Sequence, residues 1–379
     1  MTIELSKSSF FLLSILFITN LTIGQTTYIV NDTVNNKSDK INIEFRNILE
    51  TVAILQHLWV EVDGGWPYAK LNNPVKDDIN SYFKNFKKHK AVKLTRKIAN
   101  GKASFSAPLL IALSLSPLPK TNINYNPHYL YQTIHNKNSR GERIIAKYLK
   151  SINHFYENAN VEGFLKKHNY FYEMALNQLT QNSPKKETIL GMENYYRKSF
   201  SNYYIIPSLT NFPMAFGHPY SKDNQVIIYQ TLSINSPIND SLQHYGFHNR
   251  NTIYELTFHE YGHSFVNVIN NKELKSLTDN TAYLLKPIKD DMLAIAYGDW
   301  ETVLEEHIVR AVEIRIWEVV MKNIEKANSL RIEYIDNKKF KYIPFIEEQL
   351  KIYEANKIEF TSFDVFLPKL ISSLKMIEN

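Results

Sequence analysis

The stretch that decides the fold is Phe258-His259-Glu260-Tyr261-Gly262-His263-Ser264-Phe265, which contains the pattern H-E-x-x-H. On an α-helix, residues four apart lie on one face about 5–6 Å from each other, so His259 and His263 can reach one metal ion. Glu260 lies one step round the helix, where its carboxylate can reach a water molecule on that ion and act as its general base. The pattern therefore predicts a helix that supports metal-assisted hydrolysis.

The sequence around this pattern predicts a buried helix. From Leu256 to Asn271 the only charged side chain is Glu260, and apolar residues recur at helical spacing. An unpaired buried carboxylate is costly, so Glu260 needs a partner such as a metal-bound water. Gly262 inside a helix costs about 1 kcal/mol relative to Ala, which indicates a close approach to the backbone there. The alternative, a core helix with two hydrogen-bonded histidines, explains neither Glu260 nor Gly262.

Composition narrows the class of protein and of metal site. A chain of 379 residues with 44% hydrophobic residues can form one large domain or two moderate ones around a proper core. The formal charge of +6 lies in patches such as residues 84–97, without an Arg-rich run or a nucleic-acid motif, so we interpret it as solvated surface and expect no nucleic-acid partner. The absence of cysteine excludes disulfides, a thiol nucleophile and Cys-ligated zinc, which leaves His, Asp and Glu as the strong metal ligands.

The N-terminus has the pattern of an export signal, residues 1–24. Lys7 supplies a positive charge, residues 10–18 an apolar run, and Thr22-Ile23-Gly24 a small-residue site before Gln25. The apolar run is short for a membrane span, and no later stretch is long and apolar enough to cross a bilayer. We therefore expect an exported, periplasmic or extracellular bacterial protein without stable membrane insertion once the signal is cleaved, with an uncleaved anchor as the alternative.

Periodicity predicts an α+β fold that is predominantly helical, with a small sheet before the metal-binding helix. The predicted helices cover residues 41–59, 75–86, 107–115, 141–156, 161–179, 249–270, 345–353 and 362–377, and one more that begins after Asp299 as N-cap and runs through Trp317. Residues 203–209 and 225–232 are predicted as strands joined by a loop that contains residues 212–220. We expect a helical region, residues 25–200, and a catalytic region, residues 201–379, in one continuous domain.

A catalytic zinc ion needs a third protein ligand and one open position for water. In metzincins the motif continues with a glycine and a third histidine, but those positions hold Val266 and Ile269, so that class is excluded. The only later histidine is His307, directly after Glu305 and Glu306.

These three residues are the candidates for the third ligand. Glu305 shares a helical face with apolar residues, whereas Glu306 shares one with Arg310 and Glu313. A ligand faces a wet cleft, and Arg310 one turn on can orient its carboxylate. We therefore favour Glu306, with Glu305 and His307 as the alternatives.

The chain resembles an uncharacterised family of exported bacterial zincin-like proteins that is known only as a domain of unknown function. The resemblance lies in the run from His259 to Asn267 and in Glu306-His307-Ile308-Val309-Arg310-Ala311, and weaker similarity extends over most of the mature chain. It implies a gluzincin-type zinc peptidase fold with Glu306 in the third-ligand position, and it implies no particular substrate. Arg310 departs from well-studied gluzincins, which often carry an acidic residue one turn after the Glu ligand.

The predicted function is zinc-dependent hydrolysis of peptide bonds in a peptide or protein substrate. One Zn²⁺ bound by His259, His263 and Glu306 would activate water, and Glu260 would move its proton to the leaving amine. Second-shell or oxyanion-stabilising candidates are Arg310, Tyr297 and Asn267, with Tyr283 and His218 as further oxyanion candidates.

Other functions and the substrate-binding element stay open. The alternatives to a peptidase are a catalytically silent binding protein that keeps this fold and a zinc hydrolase of a non-peptide substrate. One of the strands 203–209 and 225–232 is a candidate cleft edge, to which an extended peptide adds by β-pairing.

Overall fold

The computed structural model describes residues 36–37, 40–63, 71–100, 106–123, 137–212, 215–222, 225–266, 268 and 271–377. The predicted export signal, residues 1–24, lies outside these ranges, as does Asn267. The described helices are α1 (Asn47–Asp63), α2 (Pro74–Tyr82), α3 (Lys90–Ala99), α4 (Ala107–Leu113), α5 (Asn138–Asn158), α6 (Val161–Lys167), α7 (Asn169–Asn182), α8 (Lys186–Tyr196), α9 (Arg250–Val266), α10 (Lys272–Asp279), α11 (Lys289–Ala294), α12 (Trp300–Arg315), α13 (Ile324–Arg331), α14 (Ile343–Ala355) and α15 (Phe363–Ser373).

The strands form one mixed sheet and a small hairpin. Their bounds are β1 (Asn36–Lys37), β2 (Ile41–Ile43), β3 (Asn202–Ser208), β4 (Ala215–Lys222), β5 (Gln225–Ser233), β6 (Ile238–Asn239) and β7 (His244–Tyr245). The sheet has the order β1-β2-β3-β5-β4, in which β3 is parallel to both β2 and β5 and β4 is antiparallel to β5. The prediction of strands at 203–209 and 225–232 is thus confirmed, as is the mostly helical α+β class.

The predicted loop that contains residues 212–220 is wrong, because most of it is strand β4. Gly217 and Pro219 make this strand hard to predict from the sequence, since both residue types are uncommon inside strands. They are tolerated here because β4 is an edge strand of the described sheet, so the missing N–H of Pro219 leaves no ladder bond unmade.

Two predicted helices differ from the structure. The helix predicted over 41–59 begins as strand β2, since Ile41-Asn42-Ile43 pairs in parallel with Tyr203-Tyr204-Ile205 before α1 starts at Asn47. Short apolar runs of this kind fit a helix or a strand equally well. The helix predicted over 161–179 is divided into α6 and α7 at His168.

The helices around the H-E-x-x-H motif follow the prediction closely. Helix α9 spans Arg250–Val266, and Val268, inside the predicted range, is not helical. Asp299 is the N-cap of α12, and its carboxylate accepts a hydrogen bond of 2.9 Å from the Thr302 N–H. After Arg315 the chain continues as a π-helical turn, Ile316–Val320, through the predicted Trp317.

One hydrophobic core runs through the described chain, from Ile41 in β2 to Leu374 after α15. The N-terminal helices and the segment that carries the motif therefore pack around the same interior. Within the described ranges, every helix is too short or too polar to cross a bilayer.

A buried carboxylate joins α1 to the end of β3. Glu50 is fully buried and accepts hydrogen bonds from the Tyr172 hydroxyl at 2.8 Å and from the Leu209 and Thr210 N–H groups at 3.1 and 2.9 Å. The Ser208 hydroxyl is a fourth donor. Burial raises the pKa of Glu50, and the hydrogen bonds from Ser208, Tyr172 and Thr210 oppose that shift because they favour the charged form.

We expect Glu50→Ala to lower the free energy of unfolding by roughly 3 kcal/mol or more, because it leaves several buried donors without an acceptor at about 1–3 kcal/mol each. Glu50→Gln keeps the shape of the side chain and one acceptor oxygen, so it should lower the free energy of unfolding by less. Urea denaturation of both variants measures this, with Glu142→Ala on the exposed side of α5 as the control. A Glu50→Ala protein as stable as the control would contradict the anchoring role.

Candidate metal centre

Helices α9 and α12 pack against each other and bring three donor side chains together. His259 Nε2 lies 3.2 Å from His263 Nε2. Glu306 places Oε2 3.6 Å from His259 Nε2 and Oε1 3.7 Å from His263 Nε2. Among the described residues, this triad is the group of His, Asp and Glu whose ligand atoms converge closely enough to hold one ion.

The size of this triangle fits a tetrahedral metal ion. Ligand bonds of about 2.0–2.2 Å place the ligand atoms of a tetrahedral ion about 3.3–3.6 Å apart. The three shortest distances between these residues lie within about 0.1 Å of that range, and the two from Glu306 are measured to different carboxylate oxygens. Two imidazole nitrogens and a carboxylate are also a donor set that zinc accepts in sites with an open fourth position.

Gly262 allows the two helices to approach. A Cβ atom on Gly262 would lie 3.2 Å from Val309 Cγ1 on α12 and 3.3 Å from the Tyr196 hydroxyl oxygen. These contacts are tighter than ordinary van der Waals packing, which accounts for a glycine inside the motif helix despite its low helix propensity.

The other two candidates for the third ligand point elsewhere. Glu305 lies 3.2 Å from His263 Nδ1 and accepts a 2.8 Å hydrogen bond from the Val268 N–H. His307 Nδ1 donates to the Val303 carbonyl at 2.7 Å. Glu305 therefore orients a ring of the triad, whereas His307 belongs to the core.

His259 has a corresponding carboxylate that sequence reasoning did not single out. Glu313 Oε2 lies 3.6 Å from His259 Nδ1 and accepts a 2.9 Å hydrogen bond from the Tyr334 hydroxyl. Burial raises the pKa of Glu313 to about 8. The sequence does contain a signal for this residue, since Glu313 follows Glu306 by seven residues and lies on the same face of α12.

Arg310 contacts two members of the triad. Its Nη2 lies 2.9 Å from Glu306 Oε2, and its Nη1 lies 3.1 Å from His259 Nδ1. The guanidinium donates to the Tyr297 hydroxyl at 3.2 Å and lies 4.6 Å from the centre of the Phe340 ring. Since Arg310 is only 4% exposed, it is placed to orient ligands from behind the triad.

The other oxyanion candidates are less well placed or not described. Tyr297 is buried, with its hydroxyl on Arg310. Tyr283 is 39% exposed on a 3₁₀ turn, whereas the side chain of His218 and the whole of Asn267 lie outside the described part of the chain.

Glu260 is held by the edge strand. Its Oε2 accepts a 2.8 Å hydrogen bond from the Gly217 N–H on β4, and its Oε1 is buried without a hydrogen-bond partner among the residues that the structure describes. Burial and the nearby Glu306 carboxylate raise the pKa of Glu260 to about 8. Gly217 was missed because its role depends on a strand that the sequence pattern concealed.

Comparison with known proteins gives one informative match. A family model described as "Domain of unknown function (DUF4932)" matches residues 67–373, which is most of the chain. Neither the curated proteins nor the solved structures contain a match.

Two glycine substitutions should have unequal effects. A Cβ on Gly217 would lie 2.0 Å from the backbone oxygen of Glu260, so Gly217→Ala must separate β4 from α9. We expect it to lower the free energy of unfolding by more than the ~1–3 kcal/mol that is usual for overpacking. Gly262→Ala meets side-chain atoms at 3.2–3.3 Å and gains helix propensity, so its net effect should be within about 1 kcal/mol.

Urea denaturation of the two variants measures this difference. Equal stability of the Gly217→Ala and Gly262→Ala proteins would show that β4 does not pack rigidly on the metal-site helix.

Proposed function

The chain belongs to the DUF4932 family of unknown function, and we propose that it is a zinc-dependent metallopeptidase of the gluzincin type with a zincin-like fold. The observation that carries the proposal is the convergence of His259, His263 and Glu306, whose nearest ligand atoms lie 3.2–3.7 Å apart. They lie beside the Glu260 carboxylate, one oxygen of which has no hydrogen-bond partner among the described residues. In a core that binds no metal, this combination of buried polar and charged groups would cost free energy without a compensating partner.

The two histidines would bind the ion through Nε2 and Glu306 through its carboxylate. Zinc bound there lowers the pKa of a bound water towards 7 and polarises a carbonyl group. With Nε2 directed at the ion, the His263 imidazole would carry its hydrogen on Nδ1 and donate it to Glu305 at 3.2 Å. Glu313 Oε2 lies 3.6 Å from His259 Nδ1, too far for a direct hydrogen bond, and Arg310 Nη1 lies 3.1 Å from the same nitrogen, so Glu313 supplies that ring with nearby negative charge.

Glu260 is the proposed general base. The Gly217 N–H holds Oε2, so Oε1 is the atom available to take the proton of the attacking water and return it to the leaving amine. Because one oxygen is fixed by the backbone, the carboxylate keeps its direction without a second side chain. A pKa raised by burial makes the carboxylate a better proton acceptor than an exposed Glu.

The edge strand favours a peptide substrate. The Gly217 N–H points to Glu260 and not to β5. Because the backbone groups of successive residues in an antiparallel strand alternate between its two edges, those of Ala215 and Pro219 also point away from β5. An extended peptide can pair with the outward carbonyls of Gly217 and Pro219 and lie beside the general base. Strand β4 therefore takes the place that we had assigned to β3 or β5, both of which have neighbours on each side.

We also propose that the protein acts outside the cytoplasm, as the N-terminal signal pattern suggests. Expression of the full chain in a bacterium, followed by fractionation and N-terminal sequencing of the product, tests this. Retention of residues 1–24 on a cytoplasmic protein would contradict it.

The central test is metal content combined with activity. We expect the wild-type protein to bind one zinc ion and to cleave casein or a quenched peptide library, and His259→Ala, His263→Ala and Glu306→Ala each to lose most of the bound zinc. Glu260→Gln should keep the zinc and lose cleavage by at least about 10²-fold, because it removes the general base.

The outcomes separate the alternatives. Retention of zinc by all three alanine variants would reject the ligand assignment. Stoichiometric zinc in a wild-type protein that cleaves no peptide would reject the peptidase and favour a binding protein or a hydrolase of other bonds.

The two carboxylates behind the histidines should control zinc affinity. We expect Glu305→Gln and Glu313→Gln each to weaken zinc binding about 10–100-fold, the usual effect of losing a partner of a ligating histidine. Competition with a chromophoric chelator measures the dissociation constant. Glu301→Gln, on the same helix but paired with Lys275, is the control, and its zinc affinity should equal that of the wild type. Unchanged affinity in both site variants would show that neither carboxylate orients its ring.

A further inference from the structure

Helices α3 and α5 form an antiparallel pair at the surface. The Thr95 hydroxyl lies 2.8 Å from the Tyr148 hydroxyl, and His89 Nε2 lies 2.9 Å from His154 Nδ1. The step of six residues from His89 to Thr95 therefore matches the step of six residues back from His154 to Tyr148, so the two helices run antiparallel. This register places Lys93 level with Lys150.

The segment that contains this pair carries an unusual excess of positive charge. Residues 84–150 include 14 Lys and Arg residues and a single acidic residue, Glu142. The remaining chain has 30 Lys and Arg residues against 37 Asp and Glu residues, although the whole chain has a formal charge of +6. The net positive charge of the protein therefore comes from this one segment.

Folding collects much of this charge in two rows. Seven of the eight basic residues on α3 and α5, all but Arg96, are spaced three and four residues apart, so each helix presents them as one stripe, and all seven are exposed. We call these residues the basic face: Lys90, Lys93, Lys97, Arg140, Arg143, Lys147 and Lys150. Each row extends about 10–15 Å, since a helix rises about 1.5 Å per residue.

The charges of the basic face are not neutralised by the protein itself. Among the described residues, no carboxylate forms an ion pair with any member of the face. Some exposed lysines elsewhere do have such partners, as Lys275 does with Asp279 and Glu301 at 2.7 and 2.8 Å. Two uncompensated rows of like charge repel each other, so a field of negative charge outside the protein stabilises this arrangement.

The composition of the face indicates what kind of anion it suits. Within the described residues of α3 and α5, no large hydrophobic side chain is exposed, so the face offers neither rings for stacking on bases nor apolar groups to insert into a bilayer. Lysine predominates, and it attracts anions as a hydrated point charge, whereas arginine is the usual residue for paired hydrogen bonds to nucleic-acid phosphates. Two parallel helical rows side by side match a plane of negative charge better than a single strand.

We propose that the basic face docks the protein on the surface of an anionic lipid membrane, by electrostatic attraction and without insertion. This inference does not depend on the metal centre or on peptidase activity. It replaces our interpretation of the positive charge as ordinary solvated surface. That interpretation came from the sequence alone, which does not show that α3 and α5 place their charges side by side.

The test measures sedimentation of the full chain with lipid vesicles. We expect binding to vesicles that contain phosphatidylglycerol and none to vesicles of phosphatidylcholine alone. Binding should disappear between about 0.1 M and 1 M salt, as the screening length falls from about 10 Å to about 3 Å.

Two matched variants locate the binding surface. The first neutralises six of the seven residues of the basic face and leaves Arg143, with the substitutions Lys90→Gln, Lys93→Gln, Lys97→Gln, Arg140→Gln, Lys147→Gln and Lys150→Gln. The control removes the same charge from exposed lysines elsewhere with Lys272→Gln, Lys286→Gln, Lys289→Gln, Lys341→Gln, Lys357→Gln and Lys375→Gln. Glutamine has about the helix propensity of lysine, so both variants should fold, and thermal unfolding checks this.

We expect the first variant to bind phosphatidylglycerol vesicles at least about tenfold more weakly than the wild type, and the control much less than tenfold more weakly. Equal losses in the two variants would show a general charge effect and overturn the proposal. So would wild-type protein that binds duplex DNA or heparin but not the vesicles, because the partner would then be a soluble polyanion.

Discussion

The rest of the structure depends on the burial of charged groups between α9 and α12. Glu260, Glu305, Glu306 and Glu313 lie on or between these helices with almost no exposure, and Arg310 lies among them. Each of these groups would be costly in an apolar interior without a partner. The partners come from distant parts of the chain: Gly217 on the sheet edge, Val268 after the motif helix and Tyr334 beyond the π-helical turn. The helices and the sheet edge are thus arranged as much by the needs of these carboxylates as by apolar packing.

Much of this centre could be predicted from the sequence because its parts are local. The spacing of His259 and His263 is a property of one helix, and the face shared by Glu306, Arg310 and Glu313 is a property of another. The choice between Glu305 and Glu306 is ambiguous in the sequence, since burial favours Glu305 and a polar helix face favours Glu306. In the structure both are buried, and the difference lies in direction: Glu306 points into the triangle and Glu305 to the back of the His263 ring. Only the packing angle of two helices decides such a question, and periodicity carries no information about it.

The parts that the sequence concealed are non-local. The sequence of β4 predicts a loop because Gly217 and Pro219 are poor strand residues, yet both are suited to an edge beside a crowded helix. The sequence of β2 predicts the start of a helix because its pairing partner lies some 160 residues later in the chain. The positive charge near residues 84–150 could be counted from the sequence, but its gathering into two neighbouring rows depends on the packing of α3 on α5. In each case the missing information was which segments become neighbours.

The contact of Glu305 with both His263 and the Val268 N–H has a consequence for the order of events in folding. The two residues that bond across this contact, His263 and Glu305, are 42 positions apart, so the imidazole is not oriented until α12 has docked on α9. An isolated motif helix offers an ion two freely rotating rings and no third ligand. Contacts of long sequence separation form late because closing the intervening loop is entropically costly. We therefore expect the proposed zinc ion to bind after the core has assembled, where it would stabilise a nearly complete structure and would not nucleate folding.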